Sequence, residues 1–187
     1  VLAGRAQIRW QEVLAQFFKS INHGDYAFYP FNKKHLWRGL CLPSMKAPGL
    51  DHIVVAIDTS GSMENPLLER VLAEIEALRC AANCAMTLMQ CDTDIRTLRR
   101  YEAWELSTAD FTRMRIDGRG GTSLVPPFDW VGAGRRENPL PPDALIYLTD
   151  GFGELPPRAP EFPCLWVVPR GGRKAFPFGL VLRIKEL

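Results

Sequence analysis

Residues 52–66 read "HIVVAIDTSGSMENP". The first seven, His52 to Asp58, form an apolar, β-branched run without polar alternation, the pattern of a strand buried on both faces. The run ends in a carboxylate, Asp58, followed by Thr59, Ser60, Gly61 and Ser62. Pro66 then suits the first turn of a helix. Leu67, Leu68, Val71, Leu72, Ile75 and Leu78 follow at helical spacing. A strand therefore hands one carboxylate and two small hydroxyls to a single turn. Either that turn only caps the helix, or it binds a cation.

Working outward, the same alternation continues. "CAMTLMQCD" (84–92) reads as a second strand, and "IRTLRRYEAW" (95–104) as an alternating strand paired with it through the "DTD" turn. "STADFTRM" (107–114) has the look of a short capped helix. "DGRGGTS" (117–123) is a glycine-rich loop, and "SLVPPFDWVGAG" (123–134) a proline-started helix. "DALIYLTDG" (143–151) and "PCLWVVP" (163–169) are two more buried strands, and "GLVLRIKEL" (179–187) is a candidate final one. Strand and helix in alternation predict an α/β fold: a Rossmann-like, doubly wound, mostly parallel sheet with helices on both faces and one antiparallel edge strand. In such sheets functional groups gather beyond the carboxyl ends of the strands.

Upstream, Trp10, Val13, Leu14, Phe17, Phe18 and Ile21 recur at helical spacing, and Gly24 is a credible stop. Residues 1–50 thus read as an amphipathic helix and an ordered covering segment, and residues 51–187 as the α/β domain. Little room for a full helix remains after Asp150, where the chain is short and proline-rich ("GFGELPPRAPEFPC", 151–164), or after the last strand. The N-terminal helix is the candidate to fill that gap, as an integral part of the fold.

Composition narrows the function classes. The chain has 187 residues, 47% of them hydrophobic, with a net charge of +2. That is enough for a core and argues against a polyelectrolyte nucleic-acid binder. "RTLRR" (96–100) and "PRGGRK" (169–174) read as solvated faces and turns. No apolar run approaches the ~20 residues of a membrane span. The start, "VLAGRAQIRW", lacks the pattern of a signal peptide, and its first residue is not Met, which leaves room for a longer parent chain. Five cysteines (Cys41, Cys80, Cys84, Cys91, Cys164) form no CxxC pair. They read as reduced, mostly buried thiols of a cytoplasmic protein; Cys80 and Cys84 are four apart, a spacing that would share a face if one helix held both. His23, His35 and His52 are isolated and read as surface or packed residues rather than ligands.

At the predicted carboxyl ends, Asp58, Ser60 and Ser62 stand after the first strand, Asp150 ends "ALIYLT", and Thr122 follows Gly120 and Gly121. All five offer oxygen and none is soft, the ligand set of a hard divalent cation such as Mg²⁺, with Mn²⁺ or Ca²⁺ as alternatives. Gly61 between the serines lets both hydroxyls aim one way. Two carboxylates at one rim repel each other, and a cation relieves that. Asp92, Asp94, Asp117 and Glu64 lie near the rim in sequence and read as turn formers or surface charges.

"DTSGS" resembles the D-x-S-x-S motif of von Willebrand factor A-like (VWA-like) domains. With Thr122 and the Asp150 of "LTDG", it resembles a complete metal-ion-dependent adhesion site in the family's order. The upstream "WQEVLAQFFKSI" and "YPFNKKHLWRGLCLPSM" resemble a bacterial VWA-like branch often linked to a metallopeptidase-like region and to MoxR-type AAA+ ATPases. The resemblance implies a metal-dependent protein-interaction module, an adaptor or co-factor for an AAA+ ATPase or larger complex. It implies that the serines and threonine bind the ion directly and the aspartates bind directly or through water. One position then stays open for a partner's Glu or Asp. The alternative it leaves is the C-terminal part of a metal-dependent hydrolase or peptidase-like protein whose catalytic region lies upstream.

Rival readings fit less well. A helix cap explains one serine but not Thr122 and Asp150. "CDTDIRT" misses the haloacid-dehalogenase phosphatase pattern D-x-D-x-T, because Arg96 takes the fifth position. "TSGSM" fails the G-x-S-x-G elbow, and "GRGGTS" lacks the P-loop lysine. No enzyme activity of this chain is expected. A site complete in sequence yet empty in practice remains a further alternative.

Overall fold

The computed structural model describes residues 9–21, 26–27, 44–45, 49–59, 65–105, 121–133 and 142–184. Helix α1 (Trp10–Ile21) is followed by a two-stranded antiparallel pair, β1 (Tyr26–Ala27) and β2 (Ser44–Met45). Then come β3 (His52–Asp58), α2 (Asn65–Ala82), β4 (Ala85–Cys91), β5 (Ile95–Tyr101), α3 (Pro126–Ala133), β6 (Ala144–Leu148), β7 (Cys164–Val168) and β8 (Leu180–Arg183). The sheet order is β5-β4-β3-β6-β7-β8. Every pairing is parallel except β4 with β5, so the antiparallel strand sits at one edge, as its sequence pattern predicts.

β3 is central and wholly buried, which is why its sequence shows no polar alternation. Its odd residues Ile53, Val55 and Ile57 face a core built with Val71, Leu72 and Ile75 of α2 and Leu14, Phe17 and Phe18 of α1. Helix α1 packs on both α2 and β8. It belongs to the first face, beside β8, and does not fill the gap after Asp150. The even β3 residues Val54 and Ala56 face a second core, where Phe128 and Trp130 of α3 meet Tyr147 and Trp166. Helices thus lie on both faces. The proline-rich segments after β6 and β7 complete the second face without a helix. They insert Leu155, Phe162, Phe176 and Phe178, and Phe176 stacks on Trp166 with centroids 4.6 Å apart.

Two details tie the edge to the centre. The fully buried Arg79 grips Glu76 with two hydrogen bonds of 2.8 and 2.7 Å and donates to the carbonyls of Cys84 (2.9 Å), Glu102 (3.1 Å) and Glu105. That joins the end of α2 to the chain leaving β5, and burying a guanidinium is tolerable because its donors are satisfied. Asn83 adopts a left-handed conformation (φ 51°) and ends α2. Cys84 therefore lies beyond the helix, directly before β4, and does not share a helical face with Cys80. Cys84, Cys91 and Cys164 are buried and Cys80 is exposed. Burial pushes the thiols of Cys84 and Cys91 up to about 12, so they stay protonated and unreactive. Cys41, His23, His35, Gly24 and the expected short helix at 107–114 lie outside the described residues.

His52 is packed, as its isolation predicts. Its Nε2 lies 2.8 Å from Thr87 Oγ1. Burial, reinforced by the charge of Arg100, lowers its pKa from 6.5 to about 4, against opposing pulls from Asp143 and Glu102. The folded state thus disfavours the protonated ring. The unfolded chain takes up its proton near pH 6.5 and the folded one only near 4. Stability attached to this residue is present above the first value and is lost on acidification through the second, on the order of 3 kcal/mol in all. Urea unfolding at a series of pH values is expected to show this loss in the wild type and a flatter profile in His52→Gln. Identical profiles would exclude His52 as its source.

Candidate metal centre

The carboxyl ends of β3, β4 and β6 face one rim. β3 delivers Asp58 there because the strand's inward register runs Val54, Ala56, Asp58. The Asp58 side chain is buried, with the residue only 1% exposed. Its Oδ2 accepts a 2.6 Å hydrogen bond from Thr149 Oγ1. Thr149 Oγ1 in turn accepts the amide of Gly151 at 2.9 Å. One hydroxyl thus joins the ends of the two central strands and shapes the turn that carries Asp150. Asp150 Oδ1 accepts the Phe152 amide at 2.9 Å, which holds that carboxylate in a tight local turn.

Thr122 arrives from a different loop and is locked to the same turn. Residues 123 and 154 form an isolated parallel bridge, the Leu124 amide donates to the Glu154 carbonyl at 2.8 Å, and the Glu154 amide to the Thr122 carbonyl at 3.4 Å. The Ser123 amide donates to the Asp92 carbonyl at 2.8 Å, so the β4 end joins them. Gly153 is required by space. A Cβ there would lie 2.7 Å from the Thr122 carbonyl oxygen and 2.9 Å from Thr122 Cγ2. At Gly121 a Cβ would make only ordinary contact with Thr93.

Asp58, Thr122 and Asp150 accordingly stand on three loops that touch one another at one rim. Ser60, Ser62, Gly120, Asp117 and Glu64 lie outside the described residues. Asp92 is a turn former, as expected. Its carboxylate accepts Arg96 Nε on both oxygens at 2.9 Å and takes the Asp94 amide at 3.2 Å. Burial opposes its ionisation, but Arg96 and the amides of Asp94 and Thr93 outweigh it and hold the carboxyl below its usual range. Asp94 accepts the Ile95 amide at 2.8 Å and serves the same turn.

Thr149 is the residue at this rim that pattern reading passes over. It was visible as the last residue of "ALIYLT", directly before Asp150 and directly after β6, which pairs with β3. The donor chemistry of Asp58, Thr122 and Asp150 fits a hard divalent ion, since each offers carboxylate or hydroxyl oxygen. Arg173 approaches the same turn: its amide donates to the Asp150 carbonyl at 2.7 Å and its Nη1 to the Gly151 carbonyl at 3.4 Å.

The family model described as "VWA-like domain (DUF2201)" matches residues 53–185. An uncharacterized protein of Thermotoga maritima is 24% identical over 150 residues, 80% of this chain and 35% of that one. The crystal structure of the ArnB paralog VWA2 from Sulfolobus acidocaldarius aligns at a TM-score of 0.46 with 21% identity, over 68% of this chain and 37% of that one. The chain spans about a third of the length of either relative.

If the Thr149 hydroxyl is what holds the buried Asp58 carboxylate, Thr149→Val should cost about 2 kcal/mol, the range for a hydrogen bond to a charged group. Thr149→Ser should cost less than half as much in the same urea titration. Equal losses in the two variants would assign the effect to packing instead.

Proposed function

The chain belongs to the VWA-like domain (DUF2201) family, whose members generally mediate protein interactions, and on that premise we propose that it is a divalent-metal-dependent interaction module. Asp58, Ser60, Ser62, Thr122 and Asp150 are its ion ligands, with Mg²⁺ the first candidate and Mn²⁺ or Ca²⁺ the others. The observation that carries the reading is the clasped pair of strand ends. A buried carboxylate at the end of β3 is held by Thr149, directly after β6 and one residue before a second carboxylate, and Thr122 is bonded to the same turn. Two carboxylates at one rim, with hydroxyl oxygen available from the same loops, favour a cation.

The bound ion would supply an electrophilic open position for a carboxylate. The protein's own part is to fix the donors beforehand. Thr149 orients Asp58, the Phe152 amide orients Asp150, and the 123–154 bridge sets Thr122 against them. The partner presents a Glu or Asp, and a MoxR-type AAA+ ATPase is the candidate suggested by the bacterial branch that the N-terminal segment resembles. We place the protein in the cytoplasm, as an adaptor without turnover of its own. Among the described residues no helix is long and apolar enough to cross a membrane. One second reading comes from the resemblance: this chain is the C-terminal part of a longer metal-dependent hydrolase or peptidase-like protein, and its coverage of only 35% of the Thermotoga maritima relative is compatible with a longer parent.

Binding to the folded state alone raises stability by mass action, about 2.7 kcal/mol at a free ion concentration 100 times Kd, or roughly 5–10 °C for a chain of this size. Mg²⁺ is expected to raise the wild-type melting temperature, and Asp58→Ala to lose that increment. An equal increment in both proteins would sink the site. A pull-down from lysate with and without EDTA, comparing wild type with Ser60→Ala/Ser62→Ala, should lose the same protein under chelation and in the variant. Retention under both conditions would count against metal dependence.

A further inference from the structure

Five large apolar side chains are exposed among the described residues: Leu98, Trp104, Phe152, Leu180 and Val181. Three are remote from the carboxyl-end rim, and Leu98 lies on the edge strand, opposite Met89 and two residues short of the end of β4. Trp104 follows the end of β5 that pairs with the start of β4. Leu180 and Val181 open β8, opposite Leu165 and Trp166 at the start of β7. Phe152 alone stands at the rim, two residues after Asp150 and next to the Gly153 that abuts Thr122.

Phe152 is 61% exposed on a backbone with little freedom. Its own amide is bonded to Asp150 Oδ1. On one side Gly151 is buried at φ +81°, where a Cβ would meet Phe176 at 2.5 Å and Arg173 at 2.8 Å. On the other side Gly153 is pressed on Thr122 and Glu154 is bridged to residue 123. An aromatic ring presented on a fixed turn meets a partner at low entropic cost, the property of interface anchors. The Arg173 side chain, bonded to the Gly151 carbonyl, adds positive charge beside the same turn and complements an acidic segment.

We infer that Phe152 is the apolar half of the docking surface, and that the partner segment carries a bulky apolar residue next to the carboxylate it presents. This rests on the metal-dependent reading above and adds the partner's local sequence to it. The ion takes the carboxylate, and the Phe152 ring covers the neighbouring side chain.

Two peptides test it, acetyl-Gly-Leu-Glu-Leu-Gly-amide and acetyl-Gly-Gly-Glu-Gly-Gly-amide, titrated into the whole chain in saturating Mg²⁺ and followed by amide NMR shifts. The wild type should bind the leucine peptide roughly tenfold more tightly, the fold-change of one buried aliphatic side chain. Phe152→Ser, which removes the ring but retains the backbone amide bonded to Asp150, should cut that preference to about twofold or less while keeping the Mg²⁺ increment in melting temperature. A wild type without the preference, a variant that retains it, or no binding of either peptide would overturn the inference. A preference that survives EDTA in the wild type and disappears in Phe152→Ser supports the anchor and overturns the metal reading alone.

Discussion

The hydrogen bond from the Thr149 hydroxyl to Asp58 is the contact on which the rim depends. Parallel pairing of β3 with β6 brings the two residues together, and a buried carboxylate at that point needs a donor. Thr149 supplies one and accepts the Gly151 amide with the same oxygen. The turn bearing Asp150 is therefore referenced to the centre of the sheet rather than to the surface. Thr122 is referenced to that turn in its own right, through the bridge between residues 123 and 154. Donors from three separate loops thus share one frame.

The rest of the fold protects that frame by unequal means on its two faces. On one, α1 and α2 give a helical cover in which Phe17 and Phe18 join the strand residues. On the other, α3 covers only part of the face, and aromatic side chains from irregular segments complete it. Those segments run directly from the site. The chain after Asp150 supplies Leu155 and Phe162, and the chain after β7 supplies Phe176 and Arg173. Packing of the second core and placement of the rim are thus the same event. At the far edge, Arg96 and Arg100 are paired with Asp92 and Glu102, which keeps β5 charged toward solvent. That discourages edge-to-edge pairing with another sheet.

Much of this was legible in the sequence. The unbroken run 52–58 announced a central strand, the "DTD" turn announced the antiparallel edge, and the doubled proline at 126–127 marked the start of α3. Asp58, Thr122 and Asp150 could be named from oxygen donors at predicted strand ends. What escaped depends on pairing that no local pattern encodes. Thr149 matters only because β6 lies beside β3. Gly153 matters only because Thr122 is pressed on it. That α2 stops short of Cys84 was decided at one residue, Asn83, which takes a left-handed conformation. The non-helical cover of the second face was half legible: the prolines excluded a helix, but not which aromatics would turn inward.

The Asp58 to Thr149 contact closes a loop of 91 residues, while β3, β4 and β5 follow one another closely along the chain. Closing long loops is entropically slower than pairing neighbours. The β3–β4–β5 unit can therefore form early, whereas β6 must return across the intervening chain to dock beside β3. The rim comes into existence at that docking step and at no earlier stage. Its integrity is a readout of complete folding: a partially folded chain would carry every donor and present no site.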